Sequence, residues 1–429
     1  MTSLLHPDRK SIEHDQFLKL RALLAELPPR NHFYSDKLKL SGIGPEISSL
    51  DDFLDRMPFT SKKELVEDQL RNPPYGSNLT YPLDDYTRFS QTSATSGTPL
   101  GWLDTPESWH WMLDNWERIY RAVKIGSKDR IFFAFSFAPF LGFWTAFEAA
   151  VRMGCLCIPG GGLSSTSRLK LILDNRVTVL LCTPTYALRL AEVATEQALD
   201  LRRGEVKKII VAGEPGGSVP SLRARIESLW PGATVMDHHG MTETGPVSYG
   251  CPSRPNVLHI IESAYITEVL DPESGRRVSP GRKGELVLTT LGRTGSPLLR
   301  YRTGDLVEAA AEQPCQCGSY ELALLGGILG RTDDMVIVRG VNIYPSAVDD
   351  ILRQFQEVGE YRVEVSTSSA LPELKIQIEP TYLVENVNAL TKQIEDSLYK
   401  TFALRIPIQF TPIGSLPRFE MKASRWVRS

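Results

Sequence analysis

Three clusters in this 429-residue chain set reactive side chains at spacings that suit chemistry. Gln91-Thr92-Ser93-Ala94-Thr95-Ser96-Gly97-Thr98-Pro99 crowds hydroxyls around a glycine between two expected strands. Such a run offers rotatable donors and backbone N–H groups that can wrap phosphate oxygens. Turn chemistry favours the same residues, so a solvated turn stands beside that reading. Asp237-His238-His239-Gly240-Met241-Thr242-Glu243-Thr244-Gly245-Pro246 follows the strand expected at 234–236. Ligands of α/β sheets bind outside the carboxyl ends of strands, so this position suits a magnesium-binding carboxylate and a base-stacking ring. An Asx-type turn with incidental histidines is the alternative. Leu299-Arg300-Tyr301-Arg302-Thr303-Gly304-Asp305 places a further acid on a tight turn, where an Asp is most often structural.

The six cysteines divide into two groups. Cys155, Cys157 and Cys182 sit in apolar strands and read as core. Cys251 and His259 precede the close pair Cys315 and Cys317 on a Pro/Gly-bounded turn. Three thiolates and an imidazole make a tetrahedral zinc set if the fold joins the two halves. The spacing is not that of a standard finger, and unrelated buried cysteines with a core histidine remain the alternative.

These groups need elements to position them. A helix over 17–27 and the cap Thr60-Ser61-Lys62-Lys63-Glu64 predict a helical lead-in. From residue 130, strands (131–135, 155–158, 177–182, 209–212) alternate with helices (144–153, 166–175, 219–229), the pattern of a mostly parallel sheet covered by helices. After Val235, strands at 264–270, 284–290 and 305–309 between Pro/Gly turns indicate a more antiparallel sheet. The run from Gly330 through Arg331, Asp333, Asp334 and Gly340 to Pro345 looks like a joint, with turn-compatible acids, a short apolar strand and a proline able to open a helix. Beyond it, helices at 346–355 and 387–402 and strands at 361–366, 373–379 and 408–411 make a small α+β domain of normal size.

Composition narrows the class. A net charge of −3 without a long basic tract lacks the footprint expected for nucleic acid or an anionic membrane. No signal-peptide core and no uninterrupted apolar stretch of ~20 residues occurs, which points to the cytoplasm, where cysteines stay reduced.

Taken in order, the segments resemble the adenylate-forming superfamily, most closely its phenylacetate-CoA ligase branch. The similarity extends from His32-Phe33-Tyr34-Ser35 and Met57-Pro58-Phe59-Thr60-Ser61-Lys62 through Cys182-Thr183-Pro184-Thr185-Tyr186-Ala187-Leu188 and Ala212-Gly213-Glu214-Pro215 to the joint. It implies an α/β fold: a large N-terminal domain with mixed sheets (1–331, with a zinc-binding insert at 251–317) and a small mobile α+β domain (332–429). It also implies two steps, in which a carboxylate attacks ATP to form an acyl-adenylate and coenzyme A then displaces AMP.

By the same resemblance, Ser93, Thr95, Ser96 and Gly97 hold the β- and γ-phosphates. Gly213, Glu214, Pro215, Asp237 and His239 line the adenine site. Thr242 touches the α-phosphate, Glu243 ligates Mg2+, Asp305 accepts the ribose hydroxyls and Arg331 partners ribose or phosphate. Lys422, in Leu416-Pro417-Arg418-Phe419-Glu420-Met421-Lys422-Ala423, matches the adenylation lysine, a cation suited to charge building on the α-phosphate. Asp333 becomes a hinge that brings Lys422 in and out. Phe137, Phe140, Phe143 and Trp144, with His238, line the acid pocket, and rings there suit an aryl acid, although an aromatic stripe is also ordinary core. Cys/His zinc sets like Cys251, His259, Cys315 and Cys317 occur in this branch.

The chain departs from the family where Ala94 replaces the first loop glycine, Thr98 the loop lysine and His239 a stacking tyrosine. The first changes restrict φ and remove a charge from the pyrophosphate side. Transfer to a carrier-protein thiol or an amine, and a non-catalytic nucleotide-binding relative, are therefore carried as alternatives to the aryl-CoA ligase, and a homodimer is left open.

Overall fold

In the computed structural model, which describes residues 7–92, 98–311, 313–339, 341–366, 373–382, 384, 386–419 and 423–428, helices and strands follow the capping and alternation written into the chain. Packing divides them into two units: Met1–Gly162 with Met236–Ile328, and Leu163–Val235 with Leu329–Ser429.

The first unit opens with helices Arg9–Glu26, His32–Ser41, Leu50–Arg56 and Lys62–Arg71. Each begins where a side chain of Asp8, Asn31, Ser49 or Ser61 accepts a backbone N–H. At Ser61 the cap is reciprocal, since Glu64 accepts from the Ser61 N–H at 2.7 Å. Leu20, Leu24, Tyr34 and Phe53 pack with Ile266, Leu291 and Leu299. A hairpin of Arg88–Gln91 and Gly101–Asp104 then leads into helix Pro106–Ala122. Thr105 caps that helix, and its buried stripe runs through Trp109, Met112, Trp116 and Tyr120. No element expected from the sequence covers it. Strand Arg130–Phe133 pairs in parallel with Leu156–Pro159, with helix Leu141–Arg152 between them in sequence. The antiparallel texture expected after Val235 appears as Tyr265–Leu270, Lys283–Thr290 and Tyr301–Glu308, and again as Ser248–Gly250, Val257–Ile260 and Ala323–Leu325.

In the second unit, strands Val179–Cys182 and Lys208–Val211 pair in parallel. All four positions of Val179–Cys182 are buried, as a strand covered on both faces requires. Helices Ser165–Asp174, Pro184–Glu196 and Pro220–Leu229 accompany them. After a hairpin of Val336–Val338 and Val341–Ile343, Pro345 lies in the first turn of helix Pro345–Arg353. The sheet that follows runs in the order Ile408–Phe410, Glu373–Pro380, Val358–Ser366, Trp426–Arg428, and helix Val387–Phe402 adds Leu390, Ile394 and Leu398 to its core. Helix Pro220–Leu229 meets this tail: the Ser221 hydroxyl donates to Asp350 at 2.5 Å, and Arg225 donates to the carbonyls of Phe355 and Val358 at 3.3 and 2.8 Å. No helix among the described residues is long and apolar enough to cross a membrane.

Ile376 is fully buried in the tail core. Ile376→Ala leaves a cavity and is expected to cost about 2–5 kcal/mol, read as a lower urea midpoint for that unit.

Candidate active site

The Asp237–Pro246 segment folds as a tight hairpin, with Gly240–Met241 antiparallel to Gly245–Pro246. Both glycines are required. A Cβ on Gly240 would lie 2.9 Å from the Gly245 carbonyl oxygen, and Gly245 has φ +86°. The turn between them carries Thr242, half-buried, and Glu243, buried. Arg293 holds this turn from beneath, with one amino group donating to the carbonyls of Thr242 and Glu243 at 2.6 and 2.9 Å. Its other nitrogens donate to both oxygens of Asp104 at 2.6 Å, and neither side chain has exposed surface. Asp104 closes the strand that follows the expected phosphate loop.

The Glu243 carboxylate lies 3.3 Å from Lys62 Nζ and 3.5 Å from the Tyr301 hydroxyl. Lys62 stands out in the sequence only as part of the Thr60–Glu64 cap and of a segment that carries the family resemblance, and nothing local ties it to residue 243. On the same unit, His239 Nε2 is 3.2 Å from Asp305 Oδ2, so an imidazole and an acid expected at one nucleotide site are neighbours here. The His239 N–H donates to the Ser248 hydroxyl at 3.0 Å, which fixes the ring's base. Asp237 is buried and accepts the His238 N–H at 3.0 Å.

His238 turns the other way. Its ring packs 4.4 Å from that of Trp116, and Nδ1 lies 2.7 Å from the Ser248 carbonyl, which makes Nδ1 the protonated nitrogen. Burial pushes its pKa down to about 4, with the carbonyl opposing that shift, so the ring is neutral near pH 7.

Of the expected acid-pocket residues, Phe137 and Trp144 line a cavity of about 430 Å³ with Phe147, Ser136, Pro159 and Gly161. Phe137 is held at φ +46°, a left-handed conformation that costs a bulky residue on the order of 1–3 kcal/mol, and its ring meets Trp144 and Phe147 edge-on. Phe140, Phe143 and His238 are not among the lining residues; Phe143 stacks on Phe135 at 3.7 Å.

The Cys/His halves do converge. Ligand atoms of Cys251, His259, Cys315 and Cys317 all lie within 4.8 Å of one another. Zn–S bonds of about 2.3 Å and a Zn–N bond of about 2.0 Å at tetrahedral angles put sulfur pairs ~3.8 Å apart and a sulfur–nitrogen pair ~3.5 Å apart. Here Cys251 and Cys315 sulfurs are 3.8 Å apart, and Cys317 Sγ is 3.4 Å from His259 Nε2. His259 Nδ1 faces the Glu321 carbonyl at 3.3 Å, which leaves Nε2 as the ligand atom. The donor set fits zinc. Of the remaining cysteines, Cys182 is fully buried as expected, Cys155 is buried just before its strand, and Cys157 is only partly covered.

The second unit carries the other expected residues. Gly213 and Pro215 are exposed and flank the half-buried Glu214. Arg331 and Asp333 form an ion pair at 2.8 Å on a segment with both side chains partly exposed. Lys422 and the loop residues Ser93, Thr95, Ser96 and Gly97 lie outside the described residues.

The AMP-binding enzyme family model matches residues 44–292, and that of the AMP-binding enzyme C-terminal domain matches residues 340–428. A phenylacetate-coenzyme A ligase of Thermus thermophilus is 29% identical over 433 residues, covering 96% of this chain and 95% of its own. Its Escherichia coli counterpart is 29% identical, covering 91% and 89%. Among solved structures, 2-hydroxyisobutyryl-CoA ligase in the postadenylation state with R3-HIB-AMP superposes with a TM-score of 0.93 at 28% identity, covering 98% of this chain and 90% of that one.

The neutral His238 sets an acid limit. Its folded pKa lies below the ordinary 6.5, so its stabilising contribution is full above pH 6.5 and is lost as pH falls toward about 4. Stability should drop on the order of 3 kcal/mol across that window through this residue alone, and urea titrations of His238→Asn should show a shallower fall than wild type.

Proposed function

The chain belongs to the AMP-binding enzyme family, and we infer from that membership and from the hairpin of Thr242 and Glu243 that it is an AMP-forming acid–thiol ligase acting on an aromatic carboxylic acid. A carboxylate oxygen attacks the α-phosphorus of ATP, the bond to the bridging oxygen breaks, and pyrophosphate leaves. The sulfur of coenzyme A then attacks the acyl carbonyl, AMP departs, and the thiol proton is released. The single observation that carries the reading is similarity over nearly the full length to phenylacetate-coenzyme A ligases.

Residue roles follow. Thr242 and Glu243 would face the α-phosphate and its Mg2+, and the buried Glu243 offers the hard oxygen donor that Mg2+ takes, beside a lysine that balances its charge. Bound Mg2+ would screen phosphate charge. Asp305 and His239 would serve the ribose and base, Asp237, Gly213 and Pro215 the adenine site, and Arg331 the ribose or phosphate. Lys422 would stabilise charge building on the departing pyrophosphate. The domain from residue 332 would move about Asp333 between the two steps. The cavity lined by Phe137, Trp144 and Phe147 supports an aryl preference. The set Cys251, His259, Cys315 and Cys317 would hold a structural Zn2+ that staples one antiparallel sheet to the turn before it. Six free cysteines and reliance on ATP and coenzyme A suit the cytoplasm.

Acid-dependent pyrophosphate release with phenylacetate, benzoate and 2-hydroxyisobutyrate, followed by mass spectrometry for the CoA thioester, tests the reaction. No release with any acid of a wide aryl panel would reject it. Lys422→Ala is expected to abolish adenylate formation while thiolysis of preformed adenylate stays within about twofold; equal loss of both steps would remove Lys422 from its role. Protein purified without chelator should contain one zinc per chain by elemental analysis, and its absence would reject the metal.

A further inference from the structure

The geometry points to Glu214 as the residue that positions the Lys422 segment, an inference that rests on Lys422 being the adenylation lysine. By family resemblance Glu214 belongs to the adenine site, yet its carboxylate is committed elsewhere. One oxygen accepts the Thr185 N–H at 2.8 Å, in the first turn of helix Pro184–Glu196, and the other accepts the Ala423 N–H at 2.9 Å, one residue past Lys422. A carboxylate at a helix N-terminus is favourably placed, and bonds between a charged acceptor and backbone N–H groups are about twice as strong as neutral ones. Glu214 therefore ties the chain beside Lys422 to the end of a helix.

Two further contacts bracket the same segment. Before Lys422, Arg418 donates to both oxygens of Glu192 at 3.3 Å, on the third turn of that helix, and is itself held by the buried Glu379. After it, Arg425 reaches the Thr185 hydroxyl at 3.4 Å and is fixed by two bonds to Glu360 at 2.6 and 3.1 Å. Helix Pro184–Glu196 thus meets the tail on both sides of Lys422, through Thr185 and Glu192, with Glu214 making the bond nearest in sequence to the lysine. These links serve the step in which Lys422 must be present. They have no part in attack by the thiol, so their loss should separate the two half-reactions.

The experiment measures each half-reaction with the panel acid giving the fastest pyrophosphate release. Glu214→Ala is expected to lower the adenylation kcat on the order of a hundredfold, as a misplaced catalytic group does, with KM for ATP and the rate of thiolysis of preformed adenylate each within about twofold. Glu214→Gln, whose amide nitrogen cannot accept the second N–H, should resemble the alanine variant more than wild type. A raised KM for ATP with unchanged kcat would mean that Glu214 reads the base and would overturn the proposal, as would equal loss of both half-reactions in a folded variant. If Glu214→Ala does not fold, Glu192→Ala carries the same prediction at severalfold magnitude, and a wild-type adenylation rate there overturns it. Lys422→Ala is measured in parallel: retained adenylation in that variant refutes the lysine's role, whereas its loss beside an unaffected Glu214→Ala refutes only the positioning.

Discussion

One buried ion pair underlies the acidic turn. Arg293 and Asp104 are both without exposed surface, and four of the five guanidinium N–H groups are spent on the Asp104 carboxylate and the carbonyls of Thr242 and Glu243. A buried pair is not in itself a source of stability, since desolvation offsets its attraction, but removal of one partner leaves an uncompensated charge and costs roughly 3–5 kcal/mol. What the pair secures is placement. The strand that leaves the glycine-containing loop and the turn that presents Glu243 cannot shift independently, because one planar group spans both.

Around that anchor, two adjacent histidines take different surroundings. His238 is buried against Trp116 and neutral, a packing element with a fixed tautomer. His239 sits beside Asp305, with Nε2 3.2 Å from Oδ2. Lys62 gives Glu243 a comparable partner. Glu243 and Asp305 thus each have a nitrogen-bearing neighbour, supplied by residues distant in sequence and not by the loop position 98 that carries threonine.

Much of this was legible in the sequence where local rules decide. Ser61 with Glu64 and Pro345 opening a helix each act within a few residues, and the capping box and the helix start appear accordingly. Cys251, His259, Cys315 and Cys317 were recognisable by residue type, and only folding could show that they meet. Long-range choices stayed hidden. Nothing near Arg293 marks Asp104 as its partner 189 positions away. Which rings of the aromatic run face a cavity depends on the strained backbone at Phe137, while the family resemblance made Phe140 and Phe143 equal candidates. Helix Pro106–Ala122 stayed hidden too although its buried stripe keeps helical spacing, because Trp109, Trp111, Trp116 and Tyr120 are only middling helix formers and give the segment no strong helical preference.

The second unit is assembled from two distant stretches, residues 163–235 and 329–429. On the ribosome the earlier stretch emerges with the partners of Ser221, Arg225 and Glu192 still unmade, and the whole of residues 236–328 must be synthesised before the tail can reach them. The links that wait are polar, so this connectivity makes the joining of the two stretches a late event of synthesis, completed only once Asp350 and Arg418 have appeared.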